Sequence, residues 1–232
     1  MKAIFITGTD THVGKTFVST LLLAQLNHFG LKTFAIKPIA SGCHYGRKKY
    51  LQNEDALILQ SSASLHRDYQ IVNPIALEKP MAPQLAALEM GITLSKNKLK
   101  ESILSSMQSE ADVNIIEGVG GWSVPLNDEE LFSEAIVDLA IPVVLVVGIK
   151  LGCLNHAILT YQSIVDTGVP FIGWIANCLS PEMLQIDKNI ETLQCWIKHP
   201  CLGVVPFQKT NHNGQKTEFI NMDIVFQKNI LA

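Results

Sequence analysis

Gly8-Thr9-Asp10-Thr11-His12-Val13-Gly14-Lys15-Thr16 is the stretch on which the reading of this chain turns. Directly before it lies a short apolar run at 3–7. Directly after it, Val18, Leu21, Leu22, Leu26 and Phe29 repeat at helical spacing over 15–29, and Gly30 follows as a stop signal. Strand, glycine-bounded loop and amphipathic helix in register are the context in which a loop can cradle phosphates. Backbone N–H groups at the helix start point at the anion, Lys15 adds a point charge, and the Thr16 hydroxyl can ligate Mg²⁺. A glycine turn that ends in Gly-Lys-Thr by accident would not need all of these neighbours. Five residues separate the two glycines, where the common pattern has four, so the loop belongs to a reshaped variety.

Outward from this loop, β-branched apolar runs recur at 33–39, 113–116, 143–148, 171–176 and 202–205, with helical segments between most of them. Runs such as Val143-Val144-Leu145-Val146-Val147 are apolar on both sides, as a strand covered by helices above and below requires. The expectation is an α/β fold of the phosphate-loop type, with a mainly parallel sheet of about seven strands and helices on both faces. The 43–112 stretch is less regular, with a basic loop at 46–49, prolines at 74, 80 and 83 and a helix near 95–109. It reads as an excursion within one domain spanning 1–232. The final 25 residues carry no clear pattern.

Composition narrows the function. A chain of 232 residues, 47% hydrophobic and 17% charged, has the apolar content to build a large core, which excludes a disordered chain. A net charge of -3 gives no basic footprint for nucleic acid. The five cysteines are scattered without a CxxC pair, which suits reduced thiols in the cytoplasm better than a zinc or disulfide framework. No apolar run is long enough to span a bilayer, and the first residues turn polar too soon for a signal peptide, so a soluble protein is expected.

A second motif lies at Val113-Asn114-Ile115-Ile116-Glu117, followed by Gly118-Val119-Gly120-Gly121. An acid at the carboxyl end of a parallel strand stands where open α/β sheets bind ligands and can hold Mg²⁺; the glycines let a nucleotide approach the backbone. A lone acid at a strand end is more often a solvated terminus. Taken alone, Lys37, after Ala35-Ile36, is more often a surface lysine than a catalytic group, and Asp55 in Asn53-Glu54-Asp55-Ala56 reads as a helix-start acid. Local pattern alone assigns neither.

Taken together, GTDTHVGKT at 8–16, KPIASG at 37–42, NEDA at 53–56, VNP at 72–74, EGVGGWSVPL at 117–126, VVLVVGIKLGCLNHA at 143–157 and GWIAN at 173–177 resemble the dethiobiotin synthetases along most of the chain. The resemblance implies closure of a cyclic urea from 7,8-diaminopelargonate, CO₂ (or bicarbonate) and ATP through a carbamate and its mixed phosphoric anhydride. It implies that Lys15 and Lys37 neutralise γ-phosphate and carbamate, and that Thr16, Asp55 and Glu117 organise Mg²⁺. His12, Val13, Gly14, Phe17, Gly118, Val119 and Gly120 would border the nucleotide, with Asn177, Cys178, Pro206, Phe207 and Gln208 around its base. Thr11, Ser41, Gly118 and Lys150 would border the diamine and carbamate. The resemblance also implies a homodimer. In it, the substrate carboxylate would sit at the N-terminus of a helix beginning near Leu154 to Asn155, after Lys150, Leu151, Gly152 and Cys153, because the first N–H groups of a helix are unpaired.

This chain departs from the family pattern at His12, where Glu or Gly is common, at Cys178, where Asp is common, and at Gln84 in place of a histidine. The 207–214 stretch also lacks an acid. The main alternative is a regulatory ATPase of the partitioning type, which shares loop and sheet but not KPIASG with KLGCLNHA. An amidase-type ligase would need a further glutaminase domain. A GTPase would need Lys-x-Asp after Asn177.

Overall fold

The computed structural model describes residues 2–46, 49–208 and 219–227. Arg47 and Lys48 of the basic loop, and residues 209–214 of the stretch without an acid, lie outside them. The chain begins with β1 (Ala3–Gly8), α1 (Lys15–His28), β2 (Thr33–Ile36) and the short strands β3 (Ile39–Ala40), β4 (His44–Tyr45) and β5 (Leu51–Gln52). Next come α2 (Glu54–Ser62), α3 (Tyr69–Val72), β6 (Ile75–Ala76), α4 (Pro83–Glu89) and α5 (Lys96–Ser106). The second half is regular: β7 (Val113–Glu117), α6 (Phe132–Asp138), β8 (Val143–Ile149), α7 (Cys153–Asp166), β9 (Phe171–Cys178), α8 (Ile186–Trp196), β10 (Cys201–Val205) and α9 (Met222–Gln227).

The main sheet has six strands among the described residues, in the order β10-β9-β8-β1-β7-β2, and every neighbouring pair is parallel. Six strands stand where about seven are expected. The apolar run at 33–39 also breaks at Lys37-Pro38, where proline has no N–H for a ladder. Its end, Ile39–Ala40, pairs instead with Ile75–Ala76, and His44–Tyr45 pairs with Leu51–Gln52, so the excursion makes two small sheets of its own. Leu77, Ala86, Leu99 and Ile103 of that excursion nevertheless share a core with Phe5 and Ile36 of the main sheet.

Alternation along β1 shows why both faces are covered. Ile4 and Ile6 pack with Val18, Leu22 and Leu26 of α1, while Ala3 and Phe5 pack with residues of α5, α6 and α7 on the other side. Phe29 does not join the α1 stripe; it is exposed beyond the helix end. There Gly30 takes φ 77 and the Leu31 N–H reaches back to the Leu26 carbonyl, closing the helix in a left-handed turn suited to glycine. The chain's last described residues do have a pattern: Ile220, Met222 and Val225 are buried against the α1 face. Among the described residues no helix is long and apolar enough to cross a membrane.

β1 is the point at which strand order changes direction, since the chain moves to one side for β2 and β7 and to the other for β8, β9 and β10. Parallel strands put all their carboxyl ends on one edge. The loop after β1, Lys37 after β2, Glu117 at the end of β7, Lys150 after β8 and Asn177 near the end of β9 therefore meet along that edge, the usual location for ligands in such sheets.

Candidate active site

The phosphate loop is anchored from below. Val13 is fully buried, and a Cβ on Gly8 or Gly148 would come within 2.6 and 2.9 Å of its methyl groups, so both glycines make room for it. The loop turns through left-handed conformations at His12 (φ 60) and Gly14 (φ 87). At Gly14 this conformation favours glycine, and a Cβ there would also lie 2.1 Å from the Asn177 amide nitrogen. That nitrogen donates to the Val13 carbonyl at 2.8 Å. A carbonyl only accepts, so the contact fixes which way the amide faces. Asn177, expected beside a base, is thus a clamp on the loop in this structure.

Asp10, which sequence reasoning passed over, ties the loop to its neighbour. One carboxylate oxygen accepts from the Thr11 N–H at 2.7 Å and the other from the Lys150 ammonium at 2.9 Å. The Lys150 hydrogen bond, then the Thr11 N–H, hold the Asp10 carboxyl below its usual range. Both side chains are close to half exposed, so the pair contributes little to stability.

Both lysines are buried, so Lys37 is not the surface lysine that its local pattern suggests. Lys15 donates to the Gly120 carbonyl at 2.5 Å and to the Asp10 carbonyl at 3.0 Å. Burial, then the nearby Lys37 charge, lowers its pKa to about 8. Lys37 donates to Glu117 Oε1 at 2.7 Å and to the Gly118 carbonyl at 3.4 Å, with Asp55 Oδ2 at 3.7 Å. Burial opposes its charge, but the Glu117 and Asp55 carboxylates outweigh that and raise its pKa. Glu117 is fully buried, so it is no solvated strand end. It accepts from Thr16 Oγ1 at 2.9 Å and from Ser19 Oγ at 3.0 Å. Ser19 escaped the sequence reading; its only signal is that it follows Thr16 by one helical turn.

Glu117 and Asp55 thus gather carboxylate oxygens around one ammonium, with the Thr16 hydroxyl on Glu117. Among the described residues no three His, Cys, Asp or Glu side chains group as the ligand set that zinc takes. Two carboxylates and a hydroxyl next to a phosphate loop do fit Mg²⁺, which keeps most of its ligands as water and phosphate. Ser41 Oγ is buried without a hydrogen-bond partner among the described residues, leaving a polar atom for a ligand. Gly120 (φ 64) supports the turn after β7, and Gly118 packs so that a Cβ would meet the Phe5 ring at 2.8 Å.

Other expected residues lie farther along the same edge. Gly152 caps α7 at φ 90 with no side-chain cap, and the helix starts at Cys153, one residue earlier than expected. Leu151 is 96% exposed, and Asn155 is exposed in the first turn. Cys178 is buried at the end of β9; Phe17 is half-buried; Pro206, Phe207 and Gln208 follow β10. Gln84 is half-buried and donates to Asp128 at 2.7 Å.

A parallel sheet with a phosphate loop at its switch point, a lysine and threonine starting the next helix and an acid ending the neighbouring strand define a nucleotide-using P-loop protein. A family model described as an AAA domain matches residues 2–214. Three relatives named ATP-dependent dethiobiotin synthetase BioD carry the comparison further. One from Cellvibrio japonicus is 48% identical over 88% of this chain and 89% of its own length. Those from Pseudomonas aeruginosa and Xylella fastidiosa are 44% and 43% identical, each over 89% of this chain and 90% of theirs. The chain belongs to the dethiobiotin synthetase family. Among solved structures, the cell division ATPase MinD of Pyrococcus furiosus superposes with a TM-score of 0.60 at 14% identity, covering all of both chains. MinD of Pyrococcus horikoshii gives 0.57 at 17% identity over 88% of this chain and 81% of that one. At those identities the likeness is one of fold, and the partitioning-type alternative has no closer support.

Proposed function

We propose that this chain is an ATP-dependent ligase that closes the ureido ring of dethiobiotin, a step of biotin biosynthesis, working as a homodimer in the cytoplasm. The observation that carries the reading is the buried Lys37 ammonium, 2.7 Å from Glu117 and 3.7 Å from Asp55 at the mouth of the phosphate loop. One amine of 7,8-diaminopelargonate adds to CO₂ and loses a proton, giving a carbamate. The carbamate oxygen attacks the γ-phosphorus of ATP and ADP leaves. The second amine then attacks the carbonyl carbon of the mixed anhydride, loses its proton, and expels phosphate as the ring closes.

Each step gathers anionic oxygens, so the protein's task is to place them and balance their charge. Lys15, at the start of α1, meets the phosphates; Lys37 sits between the γ-phosphate and the carbamate. Thr11, Ser41 and the Gly118 backbone border the carbamate and diamine, with Lys150 at the same edge. The loop residues His12, Val13, Gly14 and Phe17 and the turn Gly118-Val119-Gly120 flank the phosphates. Thr16, Asp55 and Glu117 would hold Mg²⁺, which supplies divalent charge to the phosphate oxygens. One Asn177 N–H is held by Val13. Its remaining N–H and carbonyl form a donor–acceptor pair that matches the N7 and N6 edge of adenine. Cys178, Pro206, Phe207 and Gln208 complete that end of the site.

The substrate carboxylate is held by the neighbouring subunit at the N-terminus of α7, by Leu151, Gly152, Cys153 and Asn155. Support comes from the uncapped Gly152 turn and the nearly complete exposure of Leu151. The test is incubation with ATP, Mg²⁺, bicarbonate and diaminopelargonate, with dethiobiotin detected by mass. No product refutes the activity. A diamine lacking the carboxylate that binds as tightly as the acid, or full activity from a monomer, refutes the composite clamp.

A further inference from the structure

The stretch Val72-Asn73-Pro74 and the residue Asn53 have no part in the reaction described above, yet both lead to its central lysine. β2 pairs with β7 only as far as Ile36, so the sheet does not hold the Lys37 backbone. Other groups do. The Lys37 N–H donates to the Val72 carbonyl at 2.8 Å, and the Lys37 carbonyl accepts from Asn73 Nδ2 at 2.7 Å. Asn73 Oδ1 accepts from the Tyr69 hydroxyl at 2.9 Å, and the Tyr69 oxygen accepts from the Asn53 N–H at 2.7 Å. Asn53 is the N-cap of α2: its side chain accepts from the Ala56 N–H, and its amide donates to the Ser41 carbonyl at 3.3 Å. Asp55 lies in the first turn of that helix.

The polarity of the chain is forced at both ends. A backbone N–H can only donate, so the tyrosine oxygen accepts there and its own proton goes to Asn73. A backbone carbonyl can only accept, so Asn73 turns its nitrogen to Lys37 and its oxygen to Tyr69. Tyr69 and Asn73 are buried, and the Tyr69 ring stacks on Tyr50 with centroids 5.6 Å apart. Burial, partly offset by the Asn53 N–H, pushes the phenol up to about 12, so it remains a donor at working pH.

We propose that Tyr69 and Asn73 are positioning residues for the reaction: they link the N-cap of the Asp55 helix to the Lys37 backbone and so set the spacing between this carboxylate and this ammonium. The inference rests on Lys37 and Asp55 having the roles proposed above. Tyr69→Phe keeps the ring and its packing and removes one oxygen. At saturating substrates it lowers kcat about tenfold to a hundredfold, since a misplacement of about 1 Å can cost that much. KM for ATP stays within about twofold of wild type. In a Lys37→Gln background the same substitution changes the residual rate by less than about twofold, because it acts through the lysine. Asn73→Asp, which cannot donate to the Lys37 carbonyl but still accepts from Tyr69, serves as a second variant of nearly unchanged shape.

A folded variant with undiminished kcat, or an equal loss in both backgrounds, overturns the proposal. A readout independent of ring closure is the Mg²⁺ concentration for half-maximal ATP binding by calorimetry, which should rise severalfold in Tyr69→Phe. No rise overturns the link to Asp55. If the wild-type chain binds MgATP but makes no dethiobiotin, the reaction assignment fails and this binding measurement still decides the relay.

Discussion

Replacing Lys15 by methionine should make the nucleotide-free protein more stable while removing most of its activity. The Lys15 ammonium is buried, and its pKa falls from 10.5 to about 8. The folded state therefore disfavours the charged form, at about 1.4 kcal/mol per pH unit, which gives a penalty of about 3 kcal/mol at neutral pH. Methionine fills similar space without charge. Its cost is two carbonyls, Gly120 and Asp10, that lose their donor, about 1 kcal/mol each. The net gain is about 1 kcal/mol, or a rise of about 2–4 °C in melting temperature for a chain of this size.

The sign can be checked with pH. Between about 8 and 10.5 the unfolded chain binds a proton at Lys15 that the folded chain does not, so wild-type stability from this group increases with pH through that window. The gap between Lys15→Met and wild type should be full below pH 8 and should close as pH approaches 10.5. Thermal melts of both proteins from pH 7 to 10 test this. A variant that melts at or below wild type at pH 7, or a gap independent of pH, would refute the reasoning. Phosphate binding restores the charge, so ATP binding at pH 8–9 should take up protons, visible by calorimetry in buffers of different ionisation enthalpy.

Lys37→Gln should lower turnover by about 10²–10³-fold, the loss of one charge-stabilising donor, while the chain stays folded because glutamine can still donate to Glu117; near-wild-type turnover at saturating substrate would rule out its catalytic role. Asp55→Asn and Glu117→Gln should each shift the Mg²⁺ titration of activity to higher concentration, and superimposable titrations would count against both as ligands. Asn177→Val, a strand-compatible change, should weaken binding of MgATP and also of magnesium tripolyphosphate, by about tenfold for the latter, because the Val13 carbonyl is left buried and unpaired. Undiminished tripolyphosphate binding would limit Asn177 to the base.

Fold class and the position of the nucleotide loop are legible along the chain, because both rest on short-range pattern. Six apolar runs became the six strands of the sheet, and Gly8 to Thr16 sits where a strand passes into a helix. Periodicity also placed α5 within a few residues of its ends. What pattern could not supply was the environment of groups brought together from afar. Lys37 and Asp55 look ordinary in their own segments, and Glu117 lies 80 residues from Lys37. Only the parallel ordering of β2, β7 and β1 brings them to one edge and buries the ammonium among carboxylates. Ser19, Asp10, Tyr69 and Asn73 were missed for the same reason: a serine in a helix or an asparagine before a proline has no meaning until its partner is known. The break at Pro38 is the clearest case. An apolar run predicts a strand through 39, but the missing proline N–H ends the ladder, and the tertiary structure hands Lys37 to Val72 and Asn73 instead.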